Sequence, residues 1–477
     1  MPRLGLVAQS GRAKVLIAPW HRPSLANMAK LYSLYAEQEW LEPCLLATSR
    51  EIGDELRGLV GNQATIHEYF VEQVFNSFSS PPLSRILGSA LYHLGPSWIS
   101  HYLRCRRELE ILRALARSIL DKASPDLLVV EDDRRLNLLP LVHEAKKRGC
   151  YVLVIPYGIS STKKDLLVER QSRPDKLLRQ GTDRFVKRAI AALWPKVVIG
   201  QGRETAFFYR AEETLALRSL SMLPDDPFLL GNFSDLVLIG GKFDFESLRN
   251  DGVPPEKLVI TGELEHDELA KSNNNRALIR DNLIKKYGLR PDHSIVLVCI
   301  PQIQNEQLMP LDKQKEERRR LVRAASGPGR NVLLSLHPKL NPIDCMDLTH
   351  EFRVAILTEK LKDVLAAVDL YISNHSSTVR WSLMLQIPTL VVDFNGNEER
   401  IFSDLTPAIK TCSMDELFDE VADLFERPAN LSDQQHYQKQ LQDFFGFLDG
   451  RAGKRIIDVT SSIFTNAFTN AHGAPHE

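Results

Sequence analysis

Short runs of Val, Ile and Leu recur along the chain, separated by longer segments whose apolar residues return every three or four positions. The first series is Lys14–Pro19, Leu127–Glu131, Tyr151–Pro156, Lys196–Gly200, Asp235–Gly240 and Lys257–Gly262. A second series follows at Ser294–Ile300, Asn331–Leu336, Asp369–Ser373 and Thr389–Asp393. Runs that are apolar without alternation suit strands covered on both faces, and so predict parallel sheets.

The intervening segments read as crossover helices. Arg107 to Lys122 places Leu109, Leu112, Leu115, Ile119 and Leu120 on one stripe, just before Pro125-Asp126 opens a strand. Leu136 to Arg148 runs into Gly149, a helix stop in the expected place. Strand, helix, strand in this order gives right-handed βαβ units, hence an α/β protein of two doubly wound, Rossmann-like domains facing a cleft. The polar stretch Glu263 to Asn275, with Ser272-Asn-Asn-Asn275, is the expected linker. It divides an N-terminal domain, 1–268, from a C-terminal domain, 269–477. C-terminal helices are expected within Met414–Phe447 and over Lys454–Phe464.

A length of 477 residues is too much for one ordinary core. Lys plus Arg number 60 against 61 Asp plus Glu, a net charge of −1 that argues against a nucleic-acid partner. Six scattered cysteines without a C-x-x-C pair read as buried thiols in a reducing compartment. No apolar run is long enough to span a bilayer, and the first residues lack the pattern of a signal peptide, so a cytoplasmic protein is expected. One segment stands out. Lys163 to Arg188 holds nine Lys or Arg against four Asp or Glu. It reads either as a solvated helix and loop or as a basic surface meeting anionic lipid, with peripheral contact to the inner face of the membrane.

In open parallel sheets, ligands bind outside the carboxyl ends of the strands, and those positions are polar here. In the second series they are Pro301-Gln302, His337-Pro338-Lys339, Asn374-His375-Ser376-Ser377-Thr378 and Asp393-Phe394-Asn395. Ser376, Ser377 and Thr378 open a helix, where hydroxyls beside backbone N–H groups either cap the helix or cradle a diphosphate. His337 can donate to a phosphate or a sugar hydroxyl, or simply hold a turn. In the first series, Glu131-Asp132-Asp133 ends a strand. Such crowded carboxylates must be solvated, bound to metal or used as a base. Trp20-His21-Arg22 follows the first strand, where a basic group and an aromatic plane either face the cleft or pack.

Several of these segments are familiar in combination. Asp235–Gly241 (DLVLIGG), Gly252–Gly262 (GVPPEKLVITG) and His266–Leu269 (HDEL) resemble the end of the first domain in GT-B-fold sugar enzymes. Leu336–Pro338, Asp369–Thr378 and Gln386–Phe394 are similar to that family's nucleotide half, and Asp449–Ile457 to the closing helix of capsule and wall-polymer transferases. Two branches compete: polysaccharide glycosyltransferases, including glycerophosphotransferase-like enzymes, and UDP-GlcNAc 2-epimerases. His337–Pro342 (HPKLNP) echoes the epimerases. Ser376–Trp381 and Ile155–Ser160 depart from them, lacking carboxylates that epimerisation requires.

The resemblance therefore implies a glycosyltransferase moving a sugar, or a sugar-like phosphate unit, to a glycan or lipid-linked acceptor in surface polysaccharide synthesis. The nucleotide-sugar donor would be held by Ser376, Ser377, Thr378, His337, Pro338 and Gln302, with the leaving diphosphate stabilised by His337, Arg380 and Arg400. Glu131 or Asp132 would serve as base, with His21 beside them. No cofactor and no bound metal are implied. A sugar-nucleotide binder that works through partners, without catalysis, is a third reading.

Overall fold

The computed structural model describes residues 11–20, 22–61, 63–69, 97–158, 162–171, 173–181, 183–300, 311–337, 340–374, 376–393, 408–426, 428–441 and 444–472. The chain divides into two compact units. The first comprises Met1–Ile239, Phe243–Thr261 and Gly453–Glu477; the second comprises Gly240–Lys242 and Gly262–Ala452.

Among the described residues, nine strands fall in the first unit: β1 (Ala13–Ala18), β2 (Leu41–Ala47), β3 (Ile66–Glu68), β4 (Leu127–Val130), β5 (Tyr151–Val154), β6 (Val198–Ile199), β7 (Ala206–Phe207), β8 (Leu236–Ile239) and β9 (Leu258–Ile260). Seven build one sheet in the order β3-β2-β1-β4-β5-β8-β9, every pairing parallel. β6 and β7 form a separate antiparallel pair, so Lys196–Gly200 is not a strand of the main sheet. The central strand β4 is buried at every position because helices cover both faces, which is why its sequence does not alternate.

In the second unit come β10 (Ser294–Ile300), β11 (Arg330–Leu336), β12 (Ala355–Ile356), β13 (Leu370–Ser373), β14 (Thr389–Asp393) and β15 (Lys410–Ser413). They form a wholly parallel sheet ordered β12-β11-β10-β13-β14-β15. Both sheets thus belong to doubly wound α/β units. Each has one point where the strand order reverses: between β1 and β4 in the first, between β10 and β13 in the second.

Two expectations change. The polar stretch after Glu263 is no linker but the helix Leu264–Asn274, with Leu264, His266, Leu269 and Ala270 buried. Its polar side chains do structural work: the Asp267 carboxylate accepts from the Ala452 N–H at 2.8 Å, and the His266 ring lies against Gly446. Gly446 has φ +143°, and a Cβ there would stand 2.5 Å from that ring, so only glycine fits. The helix Ala452–His472 lies almost wholly in the first unit, not the second. There the Tyr35 and Thr460 hydroxyls are 2.9 Å apart, Trp40 meets Phe464 edge to face, and Arg455 donates to the Thr261 carbonyl. Among the described residues, no helix is long and apolar enough to cross a membrane.

Candidate functional site

The switch point of a doubly wound sheet is where neighbouring loops diverge and leave a crevice beyond the strand ends. In the first unit, Glu131 stands there. It follows β4 and accepts from the Trp20 N–H at 2.9 Å and from the Ser24 hydroxyl, both in the segment after β1. Its carboxylate therefore ties together the two loops that part at this point.

Its neighbours are engaged otherwise. Asp132 accepts from Arg134 Nε at 3.0 Å and Nη2 at 3.1 Å, with Arg135 at 3.5 Å. Burial opposes ionisation of this carboxyl, but Arg134 outweighs it and the pKa falls below the usual carboxylate value. A depressed pKa makes Asp132 a poorer base. Asp133 is fully buried and accepts from the N–H groups of Gly231, Phe233 and Ser234, which clamps that turn. Burial and the adjacent Asp132 push its carboxyl upward. Arg134 in turn donates to the Phe228 carbonyl and lies 5.9 Å from the Phe208 ring centroid. Asp132 and Asp133 are thus both engaged by groups within the loops, Asp132 by a cation and Asp133 by backbone N–H groups.

At the switch point of the second unit lies a chain of neutral groups. Cys299, near the end of β10, has its Sγ 3.1 Å from the Tyr371 hydroxyl on β13. That hydroxyl is 2.6 Å from Thr378 Oγ1, which is 2.8 Å from Ser376 Oγ. Burial holds Tyr371 well above the ordinary phenol value and raises the Cys299 thiol, so both remain protonated. The chain runs from the buried sheet to the half-exposed Ser376, beside the exposed Ser377. His337, after β11, is also exposed; its N–H donates to the Ile300 carbonyl, and its own carbonyl accepts from Leu340.

The cradle differs from the sequence expectation in two respects. The N–H groups of Val379, Arg380 and Trp381 are bonded to the carbonyls of Ser376, Ser377 and Thr378 at 3.1, 3.2 and 3.0 Å. The following helix, Val379–Met384, is only six residues long and brings little dipole. Those three N–H groups are therefore already used within the turn. Arg380, expected to face a diphosphate, is 1 % exposed and pairs with Glu263 at 2.9 Å. Burial alone would raise the Glu263 pKa, but the Arg380 charge lowers it. His21, Gln302, Pro338 and Arg400 lie outside the described residues.

Tyr371, Cys299, Arg134 and Glu263 were not among the residues singled out from sequence. An aromatic and a thiol inside apolar runs look like core, and only strand order shows that they meet at the switch point. Among the described residues, no three His, Cys, Asp or Glu side chains are grouped to hold a metal ion.

No family model matches the chain, and no curated protein sequence does. Solved structures do match in fold. A UDP-GlcNAc 2-epimerase from Neisseria meningitidis, bound to UDP-GlcNAc, aligns with TM-score 0.53 at 14% identity, over 94% of this chain and 100% of that one. A second UDP-N-acetylglucosamine 2-epimerase gives 0.54 at 13%, over 96% and 97%. The wall teichoic acid polymerase TagF gives 0.49 at 12%, over 97% and 92%, a likeness too distant to weigh. The chain thus shares the two-domain, GT-B-like fold of these two structures.

Proposed function

We propose that this protein is an enzyme acting on a nucleotide sugar, and that it transfers the sugar, or a sugar-like phosphate unit, to a glycan or lipid-linked acceptor. The observation that carries the reading is the neutral hydroxyl chain Cys299–Tyr371–Thr378–Ser376 at the switch point of the second sheet. In this class of sheet that is where nucleotides bind, and hydroxyls held at one end donate well at the other. Ser376, Ser377 and His337 are the groups assigned to the donor. Transfer needs one base, and Glu131 is assigned that role: it accepts from the Trp20 N–H and the Ser24 hydroxyl, whereas Asp132 is paired with the Arg134 cation and Asp133 is clamped by three backbone N–H groups.

The fold likeness to UDP-GlcNAc 2-epimerases favours a second reading, in which the protein inverts C2 of its own donor. Epimerisation moves a proton off C2 and back, which calls for more acid–base groups than Glu131 alone. Incubation with UDP-N-acetylglucosamine in heavy water, followed by NMR, separates the two. Transfer predicts no deuterium at C2, nucleotide release that depends on an added acceptor, and a loss of about 10²–10⁴-fold in that rate on Glu131→Gln. Deuterium at C2 without acceptor, lost in Glu131→Gln, would instead establish the epimerase.

A further inference from the structure

The basic segment after Lys163 divides once folded. Lys176 and Lys187 are buried: the Lys176 ammonium donates to the Phe208 carbonyl, and that of Lys187 to the carbonyls of Leu177 and Gln180, with Asp183 at 3.3 Å. These charges are internal ties, not surface. Of the cations left exposed, Lys164, Arg173 and Arg179 precede the helix Arg184–Leu193, and Arg184 and Arg188 stand on it.

That helix is seated by one face. Ile190 is buried among Val197, Phe207 and Ala211, with Val186, Ala191 and Trp194 packed alongside. A helix so seated ordinarily turns a polar face outward. Here the outward positions, at spacings of three and four, are Phe185, Arg188, Ala189, Ala192 and Leu193, all exposed. Phe185 is 66% and Leu193 68% exposed, among the most exposed large apolar residues described. A lone exposed apolar residue needs no explanation, but a stripe of them along one helix face does. Arg184 lies over the Phe185 ring at 5.1 Å, and the exposed Arg188 and Lys196 flank the stripe. From Arg184 to Val198 there is no Asp or Glu, and the one acid just before it, Asp183, is paired with Lys187. Apolar side chains of this size, ringed by cations of one sign, match the boundary between lipid headgroups and acyl chains.

We propose that the outward face of the helix Arg184–Leu193 docks on an anionic lipid bilayer, Phe185 and Leu193 entering the headgroup region while Arg184, Arg188 and Lys196 meet lipid phosphates. It does not depend on the chemistry proposed above. The test is co-sedimentation of the full chain with vesicles of phosphatidylcholine alone, or of phosphatidylcholine and phosphatidylglycerol in equal parts. Binding is expected to the mixed vesicles only and to weaken with added salt. A Phe185→Ser/Leu193→Ser variant and an Arg184→Glu/Arg188→Glu variant should each reduce partitioning by about tenfold or more. Circular dichroism and nucleotide affinity should stay as in wild type, since neither pair contributes to the core or to the strand ends. No binding to mixed vesicles, or binding unchanged in both variants, overturns the proposal. Sensitivity to the arginine variant alone, matched by binding to a soluble polyanion, would make the face a polyanion site instead. Self-association without lipid, abolished by the serine variant, would make it an interface between copies.

Discussion

The two switch points solve the same topological problem with opposite chemistry. At the first, three carboxylates crowd the end of β4. The fold answers them with Arg134 for Asp132, backbone N–H groups for Asp133 and the β1 loop for Glu131. At the second, the groups are a thiol, a phenol and hydroxyls, with no formal charge, and the nearby Arg380 is neutralised by Glu263. Charge in the first is largely committed to holding loops. In the second, hydrogen-bonding capacity is passed outward to Ser376 and its exposed neighbour Ser377. Buried charge costs heavily when its partner is lost, whereas a hydroxyl costs little. The first edge should therefore govern stability, and the second recognition.

The largest effect is expected at Asp133. Asp133→Ala leaves the N–H groups of Gly231, Phe233 and Ser234 without their acceptor, and should lower unfolding stability in urea by about 3 kcal/mol or more. A variant as stable as wild type would break the structural account of that edge.

A smaller loss should follow acidification, through Glu144 beneath the same sheet. Burial opposes its ionisation, but Arg117 and Arg113 prevail and hold its carboxyl from 4.5 down to about 2. Because the folded value is depressed, the stabilisation is complete above about pH 5 and is lost as pH falls towards 2. Urea midpoints measured across that range should fall, and Glu144→Gln should flatten the dependence by up to about 3 kcal/mol. An unaltered slope would remove Glu144 from the account.

The smallest effect on stability belongs to the second edge. Tyr371→Phe deletes the hydroxyl between Cys299 and Thr378 and should cost only about 1 kcal/mol in thermal or urea unfolding. It should nonetheless weaken nucleotide-sugar affinity several-fold by loosening Thr378 and Ser376. A large stability loss with no change in affinity would reverse the division between the two edges.

The sheets were legible because strands buried on both faces leave unbroken apolar runs, as at Leu127–Val130 and Ser294–Ile300. β2 was missed because Glu42 and Pro43 interrupt its pattern. Polarity misled where tertiary contacts bury it: Glu263–Asn275 reads as solvated, yet His266 and Asp267 are buried in the second unit. Ser376–Thr378 were found because they follow a strand, but their tie to Tyr371 and Cys299 depends on β10 and β13 being neighbours. Sequence order does not contain that adjacency. Arg380 read as a ligand group because its partner, Glu263, lies more than a hundred residues away.

The most direct test is calorimetric titration of UDP-N-acetylglucosamine and other UDP-, CDP- and GDP-linked donors into the wild-type chain, Ser377→Ala and His337→Ala. At least one donor should bind wild type, and each substitution should weaken it by roughly ten- to 150-fold, the usual cost of losing one hydrogen bond to a charged group. Unfolding midpoints should remain at the wild-type value, since both side chains are exposed. Donor binding that is unchanged in both variants would contradict the placement of the nucleotide at the second switch point.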